Sequence, residues 1–172
     1  MEEELVEEEE NRIKKYVITG LAIFLIILLI VYFTLYSVSD VVISKVESVK
    51  IINNKIEAGK YKIIFNEQTF NNLTQAYYRD YGLEFKACLN GIVDGNEYFV
   101  TEIVYPVVYN QKFDEVVSSP CPENTIISLH THPDNHCIAS KVDIKTFEKE
   151  KQHNKDRLMM IMCNKDLFNV YF

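Results

Sequence analysis

Two histidines separated by one residue, His130 and His132, are followed by Pro133 and then by Ser140 and Asp143. Imidazole nitrogen and carboxylate oxygen are ligands that zinc takes in hydrolytic sites, where a fourth position is kept for water. Two imidazoles and one carboxylate would fill the other three. The preceding segment, Thr125-Ile126-Ile127-Ser128-Leu129-His130, is short, apolar and β-branched, which predicts a buried strand. In extended chain, residues i and i+2 face the same side, so His130 and His132 converge while Thr131 turns away. Pro133 cannot continue a paired strand, and Asp134-Asn135 favours a turn. Ser140 suits the N-cap of a helix whose first turn carries Asp143, able to point back at the strand end.

Each piece also has an ordinary reading. Ser-x-x-Asp before an apolar run is by itself a capping box. His-x-His also occurs in polar loops, and His136 and Cys137 between the two halves are either further ligands or plain loop residues. The joint spacing carries more, together with an upstream segment. Glu84-Phe85-Lys86-Ala87-Cys88-Leu89-Asn90-Gly91 places a glutamate seven positions before a glycine and 46 before His130. Taken together, these residues resemble the metal motif of the JAMM (MPN-plus, JAB1/MPN/Mov34) metalloproteases. All five signature positions match, and the resemblance covers roughly residues 57–172.

The resemblance implies an α/β fold of JAB1/MPN type, a mixed curved sheet flanked by helices. It implies Zn2+ held by His130, His132 and Asp143, with Glu84 as general acid/base and Ser140 donating a hydrogen bond to the developing oxyanion. The implied activity is hydrolysis of an isopeptide or peptide bond at the C-terminus of ubiquitin or a ubiquitin-like modifier, with conjugates of such modifiers as substrate partners. The chemistry is sound on general grounds. Zinc lowers the pKa of bound water to about 7, and a positioned carboxylate contributes ~10²–10⁴-fold by moving the proton. A hydroxyl aimed at the tetrahedral oxygen adds electrostatic stabilisation. Glu97, Glu102 and Glu115 are rival carboxylates, but only Glu84 is followed by the matching pattern, and its ordinary reading is a solvated strand residue. Two other functions fit the same residues: a hydrolase that processes a sulfur-carrier protein, and a non-catalytic MPN scaffold that binds a partner through the same groove.

Residues 16–39 contain no charge over 24 positions. At 1.5 Å per residue such a helix crosses a ~30 Å hydrocarbon core. Tyr16 at one end and Tyr32 and Tyr36 near the other suit interfacial anchoring. The run is too long for a signal peptide's apolar region, follows a glutamate-rich lead and has no small-x-small cleavage site, so a retained single-pass anchor is expected. Arg12, Lys14 and Lys15 abut its N-terminal end, whereas Lys45 and Lys50 lie farther out on the other side. This charge bias leans toward a cytoplasmic N-terminus. The resemblance leans the other way, since the substrates it implies are cytosolic, and both orientations stay open.

The chain has 172 residues and a formal net charge of −7. Seven of its first ten residues are glutamate, and without them the acidic count equals the basic count of 18. An acidic head over 1–15 is expected to be disordered, since such charge runs bury no core. Residues 40–56 read as a juxtamembrane connector, and 57–172 suffice for one domain. No basic stripe points to nucleic acid. Of the four cysteines, Cys88 and Cys163 fall in apolar strand-like segments and read as buried thiols. Cys121 and Cys137 flank the ligand strand and could pair if the domain is extracytoplasmic. Strands are expected at Tyr61–Phe65, Leu158–Cys163 and Leu167–Phe172, and helices at Gln68–Tyr81 and Ser140–His153. A hairpin turning at Asp94-Gly95-Asn96 is expected to join Glu84–Val93 to Glu97–Tyr105, and Pro106–Glu123 reads as a loop.

Overall fold

The computed structural model describes residues 2–35, 47–133 and 136–172, with side chains in the first helix described from residue 12 to 34. The chain divides into two compact units, Met1–Ser39 and Asp40–Phe172.

The first unit is helix α1, Glu2–Leu35. Its stretch Arg12–Thr34 is long and apolar enough to cross a membrane, and none of it is buried. Phe24, Leu25 and Ile26 are more than half exposed, as are apolar neighbours on every face. A helix that is apolar all round and exposed all round is not the amphipathic helix of a soluble core. The acidic head expected to be disordered is helical at the backbone from Glu2. Glutamate is a good helix former, and carboxylates near a helix N-terminus are favoured by its dipole. Residues 36–39 of the expected anchor, with Tyr36, lie outside the described residues.

The second unit is built on an eight-stranded mixed sheet, curved and flanked, among the described residues, by two long helices. Its strands are β1 (Val49–Lys50), β2 (Lys55–Ala58), β3 (Tyr61–Phe65), β4 (Lys86–Asp94), β5 (Glu97–Val104), β8 (Thr125–Thr131), β9 (Leu158–Asn164) and β10 (Leu167–Tyr171). Their spatial order is β1-β10-β9-β8-β4-β5-β3-β2. Helix α2 (Glu67–Arg79) precedes the β4–β5 hairpin, and helix α3 (Lys141–His153) connects β8 to its parallel neighbour β9. A separate two-stranded ribbon comprises β6 (Val108–Gln111) and β7 (Val116–Ser118).

The centre of the sheet is buried along nearly its whole length. Ile127 and Leu129 of β8, Leu89 of β4 and Met160 and Met162 of β9 have no exposed surface. Central strands covered on both faces read as continuous apolar runs, as Leu158-Met159-Met160-Ile161-Met162 does. Helix α2 starts at Asn66, whose side chain accepts from the Thr69 amide at 2.8 Å. It lays Leu73 and Ala76 into the core, with Phe70 and Tyr77 half-buried beside them. Arg157, almost fully buried, donates to the carbonyls of Pro122, Glu123 and Thr125 and so fixes the entry to β8.

Two expectations are corrected. The sheet starts ahead of residue 57: β1, which pairs with β10, lies within the expected connector 40–56, and β2, which pairs with β3, begins in it. The connector's residues 40–46 lie outside the described residues. Pro106–Glu123 is not all loop, because β6 and β7 form a hairpin within it. The β4–β5 hairpin turns where expected, with Gly95 at φ 58°, a conformation glycine adopts without strain.

Candidate metal centre

The site is assembled where β4 and β8 run side by side. Their antiparallel register sets Lys86 opposite His130. Continued two residues beyond the strand, the same register sets Glu84 opposite His132. Thr131, on the other side of the pleat, holds this end together. Its amide donates to the Phe85 carbonyl at 2.9 Å, and its hydroxyl oxygen accepts from the Phe85 amide at 2.9 Å. The Glu84 amide donates to the Lys112 carbonyl at 2.9 Å, which ties it to the β6–β7 hairpin. Glu84 is thus buried and aimed into the site, not the solvated strand residue of its ordinary reading.

His130 is the next-to-last residue of β8, and His132 follows the strand's end with its amide donating to the Met162 carbonyl at 3.1 Å. Their ring centroids are 4.9 Å apart. His132 Nδ1 is 3.0 Å from the His136 carbonyl. A carbonyl only accepts, so Nδ1 carries a proton and Nε2 is the nitrogen turned toward the carboxylates. Residues 134 and 135, where a turn is expected, lie outside the described residues.

Asp143 enters from the first turn of α3. Its carboxylate lies 3.5 Å from His130 Nε2 and 3.6 Å from His132 Nε2. Around a tetrahedral ion with bonds of about 2.0–2.1 Å, neighbouring ligand atoms sit ~3.3 Å apart. Asp143 stands close to that spacing from each histidine, with Oδ1 facing His130 and Oδ2 facing His132. Ser140 is the N-cap, its Oγ accepting from the Asp143 amide at 3.2 Å while its own amide donates to Asp143 Oδ2 at 2.7 Å. The Ser-x-x-Asp motif is therefore a full capping box. It also orients a carboxylate, and the serine hydroxyl hydrogen stays available to donate.

Glu84 Oε1 is 3.1 Å from His132 Nε2. One donor atom each from Glu84, His130 and His132 also falls within 4.8 Å of the others, the spacing of a metal-binding group. Two carboxylates thus compete for the role of third ligand. Asp143 reaches both imidazoles with a carboxylate already oriented by hydrogen bonds, the usual support of a ligand.

The electrostatics ask for a cation. Burial opposes charge on His132, but its contacts with Asp143 and Glu84 outweigh this and raise it to about 9. Burial likewise opposes charge on Asp143, yet the two histidines hold its carboxyl far below the usual carboxylate range. His130 Nε2 is buried without a hydrogen-bond partner. A buried imidazole nitrogen left in this way, next to two carboxylates, fits a zinc site in donor type and number.

The cluster lies in an open cleft of about 910 Å³. The β6–β7 hairpin lines one side with Phe113 and Val117, and α3 contributes Val142. Lys86 also lines it, but its ammonium is neutralised by Glu150 of α3 at 3.2 Å. That ion pair joins β4 to α3, the segments adjoining Glu84 and carrying Asp143. Neither the hairpin nor Lys86 was singled out from sequence. The hairpin's signal was two β-branched runs, Val107-Val108-Tyr109 and Val116-Val117, separated by polar residues; Lys86 left none. The rival carboxylates are engaged otherwise: Glu97 with Lys62, Glu102 with Asn90 and Glu115 with Lys112.

The cysteines pair differently from expectation. Cys88 is bonded to Cys121 and Cys137 to Cys163, so Cys88 and Cys163 are not free thiols and Cys121 does not pair with Cys137. Each bridge joins a buried strand residue to a loop residue, a pairing set by strand order and not by nearness in sequence.

No protein-family profile matches the sequence, and no curated protein matches it either. Among solved structures, the chain is similar to a JAB1/MPN domain protein from Archaeoglobus fulgidus, at 19% identity and a TM-score of 0.42, over 62% of this chain and 86% of that one.

Proposed function

We propose that the protein is a membrane-anchored, zinc-dependent metallopeptidase that hydrolyses peptide or isopeptide bonds. The motif's resemblance to the JAMM proteases suggests the C-terminal linkage of a ubiquitin-like modifier as the bond cleaved. The observation that carries the reading is the convergence of Glu84, His130, His132 and Asp143 on one open cleft, with His130 Nε2 buried and without a hydrogen bond.

His130, His132 and Asp143 would hold the ion. Zinc bound there supplies a Lewis acid and brings the pKa of a water to about 7. Glu84, the remaining carboxylate, takes the proton of the attacking water and returns it to the leaving amine. The Ser140 hydroxyl donates to the carbonyl oxygen as that atom gains charge. The exposed apolar wall made by Phe113, Val117 and Val142 suits an extended peptide segment. Residues 12–34 cross the bilayer, held there by hydrophobic burial.

The test is Glu84→Gln in the full-length, detergent-solubilised chain. The amide is nearly isosteric but cannot accept a proton, so one zinc per chain should be retained while cleavage of ubiquitin-like fusions and isopeptide conjugates falls by at least ~10²-fold. Replacing His130, His132 or Asp143 by Ala should instead remove the metal. Equal turnover by wild type and Glu84→Gln on any cleaved substrate rejects the role of Glu84. Full zinc content in all three ligand variants rejects the site.

A further inference from the structure

All four cysteines of the chain are paired, and the pairing bears on where the site works. Cys88 on β4 and Cys163 on β9 are fully buried. Their partners, Cys121 and Cys137, lie in the segments that lead into β8 and into α3, so both bridges fasten chain that carries the site to the central sheet. Their Cα–Cα separations of 5.6 and 5.2 Å fall within the range a disulfide requires. The partners are 33 and 26 residues apart in sequence, so neither contact is a by-product of chain proximity. Cytosolic proteins keep such cysteines as thiols, and persistent pairs belong to oxidising compartments.

A second observation is independent of the cysteines. Arg12, Lys14 and Lys15 abut the N-terminal end of the apolar stretch, whereas its C-terminal end is followed by Asp40 and only farther out by Lys45 and Lys50, a bias of three against two. Basic residues close to a membrane span stay on the cytoplasmic side. The sequence alone left the orientation open; the two bridges decide between its alternatives.

We propose that the unit from Asp40 onward works on the oxidising, non-cytoplasmic side of the membrane, and that the site's substrate is a peptide or isopeptide exposed on that side and not a cytosolic conjugate. This rests on the reading of the anchor and of the hydrolytic site, and it narrows the substrate: a ubiquitin-like modifier qualifies only if it is exported. Each bridge forms when two thiols give up two electrons and two protons to a disulfide-bearing oxidant of that compartment, which is reduced to a dithiol.

The experiment uses the full-length chain in intact cells. Cells are quenched in acid to trap thiols, and the denatured protein is treated with a polyethylene glycol maleimide before and after reduction. No mass additions are expected before reduction and four after it, and non-reduced peptide mapping should show Cys88 linked to Cys121 and Cys137 to Cys163. In sealed membrane vesicles whose cytoplasmic face is outward, added protease should digest the acidic head and leave the C-terminal unit protected. Four additions before reduction, or a C-terminal unit digested from the cytoplasmic face of sealed vesicles, overturns the proposal. Release of the intact chain into the soluble fraction by carbonate overturns it as well, by removing the anchor. None of these readouts involves zinc or hydrolysis, so failure of the enzymatic reading would show separately.

Discussion

Gly91 is the glycine of the Glu-to-Gly pattern, and Gly91→Ala tests why that position must be bare. It sits on β4 where the pairing with β5 slips between Asn90 and Gly91. A Cβ there would lie 1.8 Å from the Phe99 carbonyl oxygen, 2.9 Å from its carbon and 3.2 Å from Ile126 Cδ1. Ordinary contact begins at about 3.5 Å, so the strands would have to part by over ~1.5 Å. Moving a flexible side chain cannot provide this, because the obstacle is backbone. Ladder hydrogen bonds stretched that far are lost. Two such bonds at ~1 kcal/mol each, with ~1–3 kcal/mol of overpacking, give about 3–5 kcal/mol. That is a large part of the ~5–15 kcal/mol available to a domain and should lower Tm by about 10–20 °C. Gly95→Ala is the control. It meets no atom within 4 Å and suffers only from φ 58°, costing about 1–2 kcal/mol. Thermal unfolding followed by tyrosine fluorescence reports on the sheet unit, which contains most of the chain's 11 tyrosines and no tryptophan. If Gly91→Ala melts within a few degrees of wild type, or above Gly95→Ala, the steric account is wrong.

Two further outcomes are expected. In chelated, metal-free protein the raised His132 contributes stability that is fully present below about pH 6.5 and lost as pH rises through about 9; Tm should fall across that window and recover on adding zinc, which replaces the proton, while a flat or rising metal-free curve would contradict the cluster's electrostatics. Replacing Cys137 and Cys163 together by Ser opens a loop of 26 residues, worth about 3.5 kcal/mol by chain entropy, and should loosen the segment that carries Ser140, so an unchanged urea midpoint would argue against the bridge.

The parts of the fold that were legible in the sequence are those whose residues report their own surroundings. Thr125–Leu129 and Leu158–Met162 are apolar because both sheet faces are covered, and Leu73 recurs with Phe70 and Tyr77 because one face of α2 meets the core. The β6–β7 hairpin was hidden for the converse reason. Val108 and Tyr109 are exposed, so no buried face imposes alternation on it, and Pro106 and Pro120 at its margins suggest a loop. Strand β1, two residues long, is too short to show a period of two, and β2 shows it over only four residues, with Ile56 and Ala58 turned inward and Lys55 and Glu57 exposed. The cysteines failed for a different cause. Burial of Cys88 and Cys163 was readable, but their partners depend on which strands and loops become neighbours.

The site shows why its two readings from sequence were never alternatives. A helix N-terminus leaves amides unpaired, and a Ser-x-x-Asp box answers two of them by turning the aspartate back toward the cap. Turning back is also what brings Asp143 to within 3.6 Å of both histidines, which the β8 strand period has already placed on one side. The capping bond from the Ser140 amide restrains the carboxylate before any ion arrives. Ordinary helix capping and the proposed metal ligation therefore ask for the same orientation of the Asp143 carboxylate. Sequence could supply that much because both demands are local. It could not place Glu84 against His132, a contact made across 48 residues of chain by the register of β4 on β8 and sealed by Thr131, the residue the alternation sends to the opposite face. The hydroxyl of that threonine, binding the Phe85 amide from behind, holds the carboxylate's backbone in place.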